Sequence, residues 1–168
     1  MIWPDVVLHR AADRARHGLV GLLQSSTALP VREVDDKDVL APGRVYVAPA
    51  DYHLPVEPGR FALSTDERVQ YSRPSIDVAL ESAADAYGAA VVGVVLTGAN
   101  ADGAQGLAHV KRRGGLAVVQ EPADAERATM PAAALAATAV DATLPLAEIG
   151  PYLAELCRTV SSAGGQGP

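Results

Sequence analysis

Six consecutive apolar positions, Val91-Val-Gly-Val-Val-Leu96, run into the glycine-flanked segment Thr97-Gly-Ala-Asn-Ala-Asp-Gly103. A β-branched run without polar alternation suits a strand buried on both faces, which parallel sheets sandwiched between helices provide. The downstream segments agree. Gly103 to Arg113 has helical spacing and stops at Gly114-Gly115, a helix-ending pair. Leu116–Val119 is a second strand. The Ala-rich stretch after Met130-Pro131 is a helix with proline in its first turn. Val140–Leu144 forms a last strand, and Leu146, Ile149, Leu153, Leu156 and Val160 make the apolar stripe of a closing helix.

The first half repeats the alternation. Pro4–His9 reads as a strand, and Arg10 to about Gln24 as a helix carrying Ala12, Ala15, Leu19, Leu22 and Leu23 on one side. Val31–Val34 and Arg44–Ala48 are strands. Tyr52–Val56 and Arg60–Leu63 flank the turn dipeptide Pro58-Gly59, which predicts a hairpin. Ser75 caps a helix running to about Tyr87, with Asp77 in its first turn. The expected fold is therefore α/β: a doubly wound, mostly parallel sheet with helices on both faces and a small β-hairpin insertion. The 168 residues suit one domain over 1–160, with a flexible Gly/Ser tail over 161–168. Aromatics make up 4%, so Val, Leu and Ala must supply most of the core, which favours close helix-on-sheet layers.

Charge and cysteine content narrow the chemistry. A net charge of −6 argues against a nucleic-acid partner, and Lys111-Arg112-Arg113, the only basic run, reads as the solvated end of a helix. One cysteine, Cys157, excludes an internal disulfide framework and a cysteine-based zinc site; it reads as a small helix-core residue. No apolar run reaches the ~18 residues of a membrane span, so no membrane insertion is expected. The first residues lack the sections of a signal peptide, and the expected location is cytoplasmic. Met1 opens almost directly into a strand.

Doubly wound sheets bind ligands beyond the carboxyl ends of their strands. Two such ends carry suitable groups: Leu8-His9-Arg10, and the 97–103 loop with Asp102. An imidazole and a carboxylate at one sheet edge are the supporting members of a Ser-His-Asp system, in which the carboxylate fixes the tautomer and the imidazole takes the serine proton. The residues alone leave each open. His9 is a base or a strand-end histidine with an ordinary hydrogen bond; Asp102 is a triad carboxylate or the N-cap of the helix that follows. The loop is no phosphate loop, because Ala104-Gln105 stands where Lys-Ser/Thr is required. It is no calcium loop, because Gly98 and His109 fall on ligand positions. The histidines at 9, 17, 53 and 109 include no i,i+4 pair for zinc.

Leu96-Thr-Gly-Ala-Asn-Ala-Asp102-Gly103, with Tyr71-Ser-Arg-Pro-Ser-Ile-Asp77, Gly43-Arg-Val-Tyr-Val-Ala-Pro49 and His53, resembles the catalytic domain of CheB-type protein-glutamate methylesterases. The resemblance runs from about Asp5 to Leu156. It implies hydrolysis of γ-glutamyl methyl esters, and deamidation of some glutamines, on methyl-accepting chemotaxis receptors or similar signalling proteins. It implies that His9 is the general base and Asp102 the triad carboxylate, and that neither metal nor organic cofactor takes part. Three departures stand out. The family's Gly-x-Ser-x-Gly-Gly nucleophile turn precedes the catalytic histidine, and these 168 residues contain no Gly-x-Ser-x-Gly. The family's receiver domain is absent from them too. Ala99 stands where the family commonly has Met, and Ala101 replaces a Gly, which would alter an oxyanion hole built from this loop without removing backbone donors.

No other serine is placed to substitute. Ser72 and Ser75 belong to a segment present alongside the family's nucleophile, Ser75 reads as a cap, and Ser25 and Ser26 end a helix. Three expectations remain: a methylesterase domain whose serine is missing from this chain, a catalytically inactive signalling or binding module, or a start misplaced downstream of the nucleophile segment. Removal of an interior strand would leave its neighbours unpaired, so self-association through strand edges, or poor stability, is also expected.

Overall fold

A computed structural model describes the backbone of residues 6–8 and 18–163 and the side chains of 18–158. The elements are β1 (Val6–Leu8), α1 (Leu19–Ser26), β2 (Val31–Glu33), β3 (Val45–Val47), β4 (Val56–Glu57), β5 (Arg60–Phe61), α2 (Ile76–Tyr87), β6 (Val92–Val95), α3 (Ala104–Arg112), β7 (Leu116–Gln120), α4 (Thr129–Ala137), β8 (Ala142–Leu144) and α5 (Leu146–Ala163). The strands form two parallel three-stranded sheets, ordered β1-β3-β2 and β6-β7-β8, and the antiparallel hairpin β4-β5. The architecture is the α/β class expected from the alternation, with the hairpin turning at Pro58-Gly59.

Each sheet has its own apolar layer. Val34, Tyr46, Ala48, Leu54, Val56 and Phe61 pack together in the first half, with the Tyr46 and Phe61 rings 4.7 Å apart and tilted by 57°. Burying Tyr46 requires a partner for its hydroxyl: Oη accepts from Ala41 N at 2.9 Å and donates to Val39 O at 3.2 Å. In the second half Val95, Leu107, Ala117, Val119, Met130 and Ala134 form the core. α2 joins the two layers, since Ala83 packs against the first cluster and Ile76 and Leu80 against the second. Its Ser82 Oγ also receives the backbone N–H of Val56 at 2.9 Å, tying the hairpin to the helix.

Three details go beyond the sequence pattern. Among the described residues β6 pairs only with β7, and Val92 is 39% exposed. The basic run 111–113 lies at the exposed end of α3, as expected, and it also carries ion pairs. Lys111 Nζ lies 2.8 Å from Asp141, and Arg113 lies 2.6 Å from Asp85. α5 extends to Ala163 and contains Pro151 near its start. Cys157 is half-buried on that helix.

Candidate functional site

The 97–103 loop leaves β6 and is fixed along its length. Thr97 N donates to Gln120 Oε1 at 2.9 Å, and Thr97 Oγ1 accepts from Arg127 N at 2.8 Å. Gly98 exchanges backbone hydrogen bonds with Arg127 O and Met130 N. A Cβ on Gly98 would lie 2.4 Å from Met130 Cε, so the glycine lets α4 close over the loop. Asn100 Oδ1 accepts from Asp102 N at 3.1 Å, an Asx-type bond that sets the turn into the carboxylate.

Asp102 is fully buried. Its Oδ1 accepts from Ser75 Oγ at 2.7 Å and Asp77 N at 3.0 Å; its Oδ2 accepts from Ile76 N at 2.8 Å. These donors are the start of α2, so Asp102 caps the opposite helix and not the one that follows it. Gly103, the N-cap position of α3, has φ 97 and carries no side chain to cap with. That left-handed step separates Asp102 from its own helix. Capping of α3 falls to Asp77, whose Oδ1 accepts from Gly103 N at 2.9 Å and Gly106 N at 2.7 Å. Two helix N-termini therefore exchange carboxylates, each satisfying backbone donors that a helix end leaves orphaned.

The exchange demands close approach. A Cβ on Gly106 would meet Asp77 Cα at 2.9 Å and Asp77 O at 3.0 Å, so the backbones of α2 and α3 touch there. It also places two acids in one dry site. Burial pushes the Asp77 carboxyl above its usual range, and the neighbouring Asp102 and Glu81 charges push the same way, while the Gly106 and Gly103 N–H groups oppose them.

His53 is buried, and its ring bridges two backbones. Nδ1 accepts from Ser75 N at 3.2 Å, which leaves Nε2 to donate to Glu67 O at 2.9 Å, the neutral tautomer. Its ring therefore orders Ser75 through the main chain. Ser75 is the N-cap of α2, as its position after Arg73-Pro74 implies, and its Oγ accepts from Val78 N while donating to Asp102. With its proton given directly to a carboxylate, it is not the activated nucleophile of a triad. Asn100 Nδ2 donates to Ser72 Oγ at 3.1 Å and Gln70 O at 3.4 Å, which binds the 69–73 segment to the loop. Arg73 Nη1 donates to Thr65 O and Asp66 O, and its Nε is buried with no partner among the described residues.

Of the two residues singled out from sequence, Asp102 lies at the β6 end in this network, and His9 lies outside the described residues; β1 ends at Leu8, the residue before it. Asp77 does more than its sequence position suggests. A first-turn acid is favoured by the helix dipole, and nothing local indicates that its partner is a helix start 26 residues on, at Gly103. Among the described residues no group of three His, Cys, Asp or Glu side chains is placed to hold a metal ion.

Residues 3–153 match the family described as CheB methylesterase. A Leptospira interrogans protein provisionally named protein-glutamate methylesterase/protein-glutamine glutaminase is 45% identical over 147 residues, covering 87% of this chain and 76% of that protein. Protein-glutamate methylesterase FrzG of Myxococcus xanthus is 38% identical over 151 residues, 89% of this chain and 45% of its own length. The chain thus spans three quarters of one relative and less than half of the other. The crystal structure of the Thermotoga maritima CheB methylesterase catalytic domain superposes with a TM-score of 0.85 at 30% identity, covering 92% of this chain and 85% of that one. A sequence match over nearly the whole chain and a matching fold lead to one conclusion: this chain belongs to the CheB methylesterase family.

Proposed function

We propose that this chain supplies the imidazole–carboxylate half of a protein-glutamate methylesterase acting in the cytoplasm on glutamyl methyl esters of a chemotaxis receptor or similar signalling protein. The observation that carries this reading is the Asp102 carboxylate. It is buried at a strand end, held by three donors, and Oδ2 accepts only one bond among the described residues. A further donor, such as an imidazole N–H, has a lone pair to meet there. In this reading Asp102 holds His9 in one tautomer and stabilises the imidazolium. His9 takes the proton of a serine hydroxyl as its oxygen attacks the ester carbonyl. It then protonates the departing methoxide, releasing methanol and leaving an acyl-serine. Water deprotonated by His9 attacks that ester, and the proton returns to the serine as the receptor carboxylate leaves. A glutamine side chain follows the same path with ammonia as leaving group.

The serine is the open part, because the 168 residues hold no Gly-x-Ser-x-Gly. The second reading is a binding module that recognises methylated protein without hydrolysing it. Methanol release from methylated receptor separates the two. The 168-residue chain is expected to release none above a His9→Ala control; clear His9-dependent turnover would refute the assignment of the nucleophile to a Gly-x-Ser-x-Gly turn. Translating the nucleotides upstream of Met1 is the second arm. An in-frame Gly-x-Ser-x-Gly-Gly, with turnover restored when it is included, supports the hydrolase, and its absence supports the binding module.

A further inference from the structure

Val69 and Ser72 pair across a two-residue turn, with Ser72 N donating to Val69 O at 2.8 Å and Val69 N to Ser72 O at 3.1 Å. Both residues of the turn have positive φ, Gln70 at 48 and Tyr71 at 64. A hairpin turn of this hand calls for Asn-Gly, because side chains crowd the backbone in the left-handed region. Here it holds glutamine and an aromatic. Nothing in the fold is gained by the aromatic, since Tyr71 is 94% exposed and its ring has no packing role. Yet the turn is not loose. Asn100 Nδ2 bonds Gln70 O and Ser72 Oγ while Asn100 Oδ1 receives Asp102 N, so one side chain links the turn to the residue bearing the buried carboxylate. Arg73 ties the other side of the turn to the carbonyls of Thr65 and Asp66. A strained turn, anchored to the site and displaying an unused ring, is the pattern in which strain serves a function.

Resting on the methylesterase-family reading of the site, we propose that Tyr71 is a substrate-docking residue that packs against the polypeptide flanking the glutamyl ester. Tyrosine suits this role because it offers a large, rigid apolar face with one polar tip, and such residues dominate binding at protein surfaces. The partner is a protein segment with apolar side chains beside its modified glutamate, because a ring standing in water gains most by covering such groups. Asn100 then has two duties, orienting Asp102 and aiming the docking turn.

Binding tests this without requiring a nucleophile. The 168-residue chain is titrated with a helical peptide carrying one glutamyl γ-methyl ester between apolar residues, and affinity is read by calorimetry. Tyr71→Ala is expected to weaken binding by about tenfold or more, and Tyr71→Phe by roughly twofold at most. The double variant Gln70→Asn/Tyr71→Gly keeps the turn and removes the ring; its Tm is expected to rise by roughly 3 °C while its affinity falls like that of Tyr71→Ala. Equal affinity of wild type and Tyr71→Ala overturns the docking role while leaving the family reading intact. A fall in Tm for the double variant overturns the argument from strain. Failure of the wild-type chain itself to bind overturns both the docking role and the reading beneath it, and is recognised by a blank titration before any variant is made.

Discussion

Replacing Asp77 separates what a buried carboxylate does as an acceptor from what it does as a charge. Asp77 is 5% exposed and its Oδ1 alone accepts from Gly103 N and Gly106 N. Asp77→Ala leaves two buried N–H groups without partners, each worth about 1–3 kcal/mol. Part of that loss is offset, because the carboxylate's own desolvation and its repulsion with Asp102 also disappear. The net expectation is a loss of about 2–4 kcal/mol at neutral pH. Asp77→Asn keeps an oxygen where both donors point and removes the charge, so it should lie within about 1 kcal/mol of wild type, or above it. The pH axis makes the test sharper. Asp77 has its folded pKa raised above the unfolded 3.8, so the folded state binds the proton more tightly. Its contribution is therefore most favourable below 3.8 and is lost as pH rises through the folded pKa. The asparagine variant cannot titrate there, so its advantage over wild type should grow across that same rise. Urea denaturation followed by circular dichroism, from about pH 4 to 7, reads all three proteins. If Asp77→Asn is as unstable as Asp77→Ala, or if Asp77→Ala matches wild type, the exchanged-carboxylate account of the helix pair is wrong.

Gly106→Ala gains up to about 1 kcal/mol of helix propensity but drives a methyl into the Asp77 backbone, a clash worth about 1–3 kcal/mol; a net loss is expected in thermal melts, and an unchanged or higher Tm would contradict the close approach. Self-association through β6, which among the described residues pairs on one side only, is expected to appear as concentration-dependent mass in sedimentation velocity of the 168-residue chain. Val92→Lys, which sets a charge on that strand, should shift the chain toward monomer; a wild-type monomer at every concentration would refute the idea.

Much of the fold is legible from local rules because those rules act over a few residues. Ser75 caps α2 as a serine before an apolar-periodic run should, Pro58-Gly59 turns the hairpin, and Gly114-Gly115 stops α3. The candidate site was legible only in part. Asp102 was visible as a carboxylate at a strand end, but its choice of helix was not. Local spacing favours capping the helix directly after it, whereas the backbone step at Gly103 turns that option away and α2 supplies the donors instead. The exposed ring of Tyr71 was hidden for the same reason: Tyr71-Ser-Arg-Pro reads as ordinary loop until its dihedrals and its link to Asn100 are known.

The order of strands and helices, the parallel α/β class and the family motifs were thus determined by the sequence itself, through periodicity and turn chemistry that each segment carries alone. Tertiary structure decided which helix each buried acid serves, and that among the described residues β6 pairs only with β7. Those outcomes depend on contacts between segments far apart in the chain, such as Asp77 with Gly103 and Thr97 with Gln120. No local pattern specifies such pairings, because they form only once packing has brought their partners within hydrogen-bond reach.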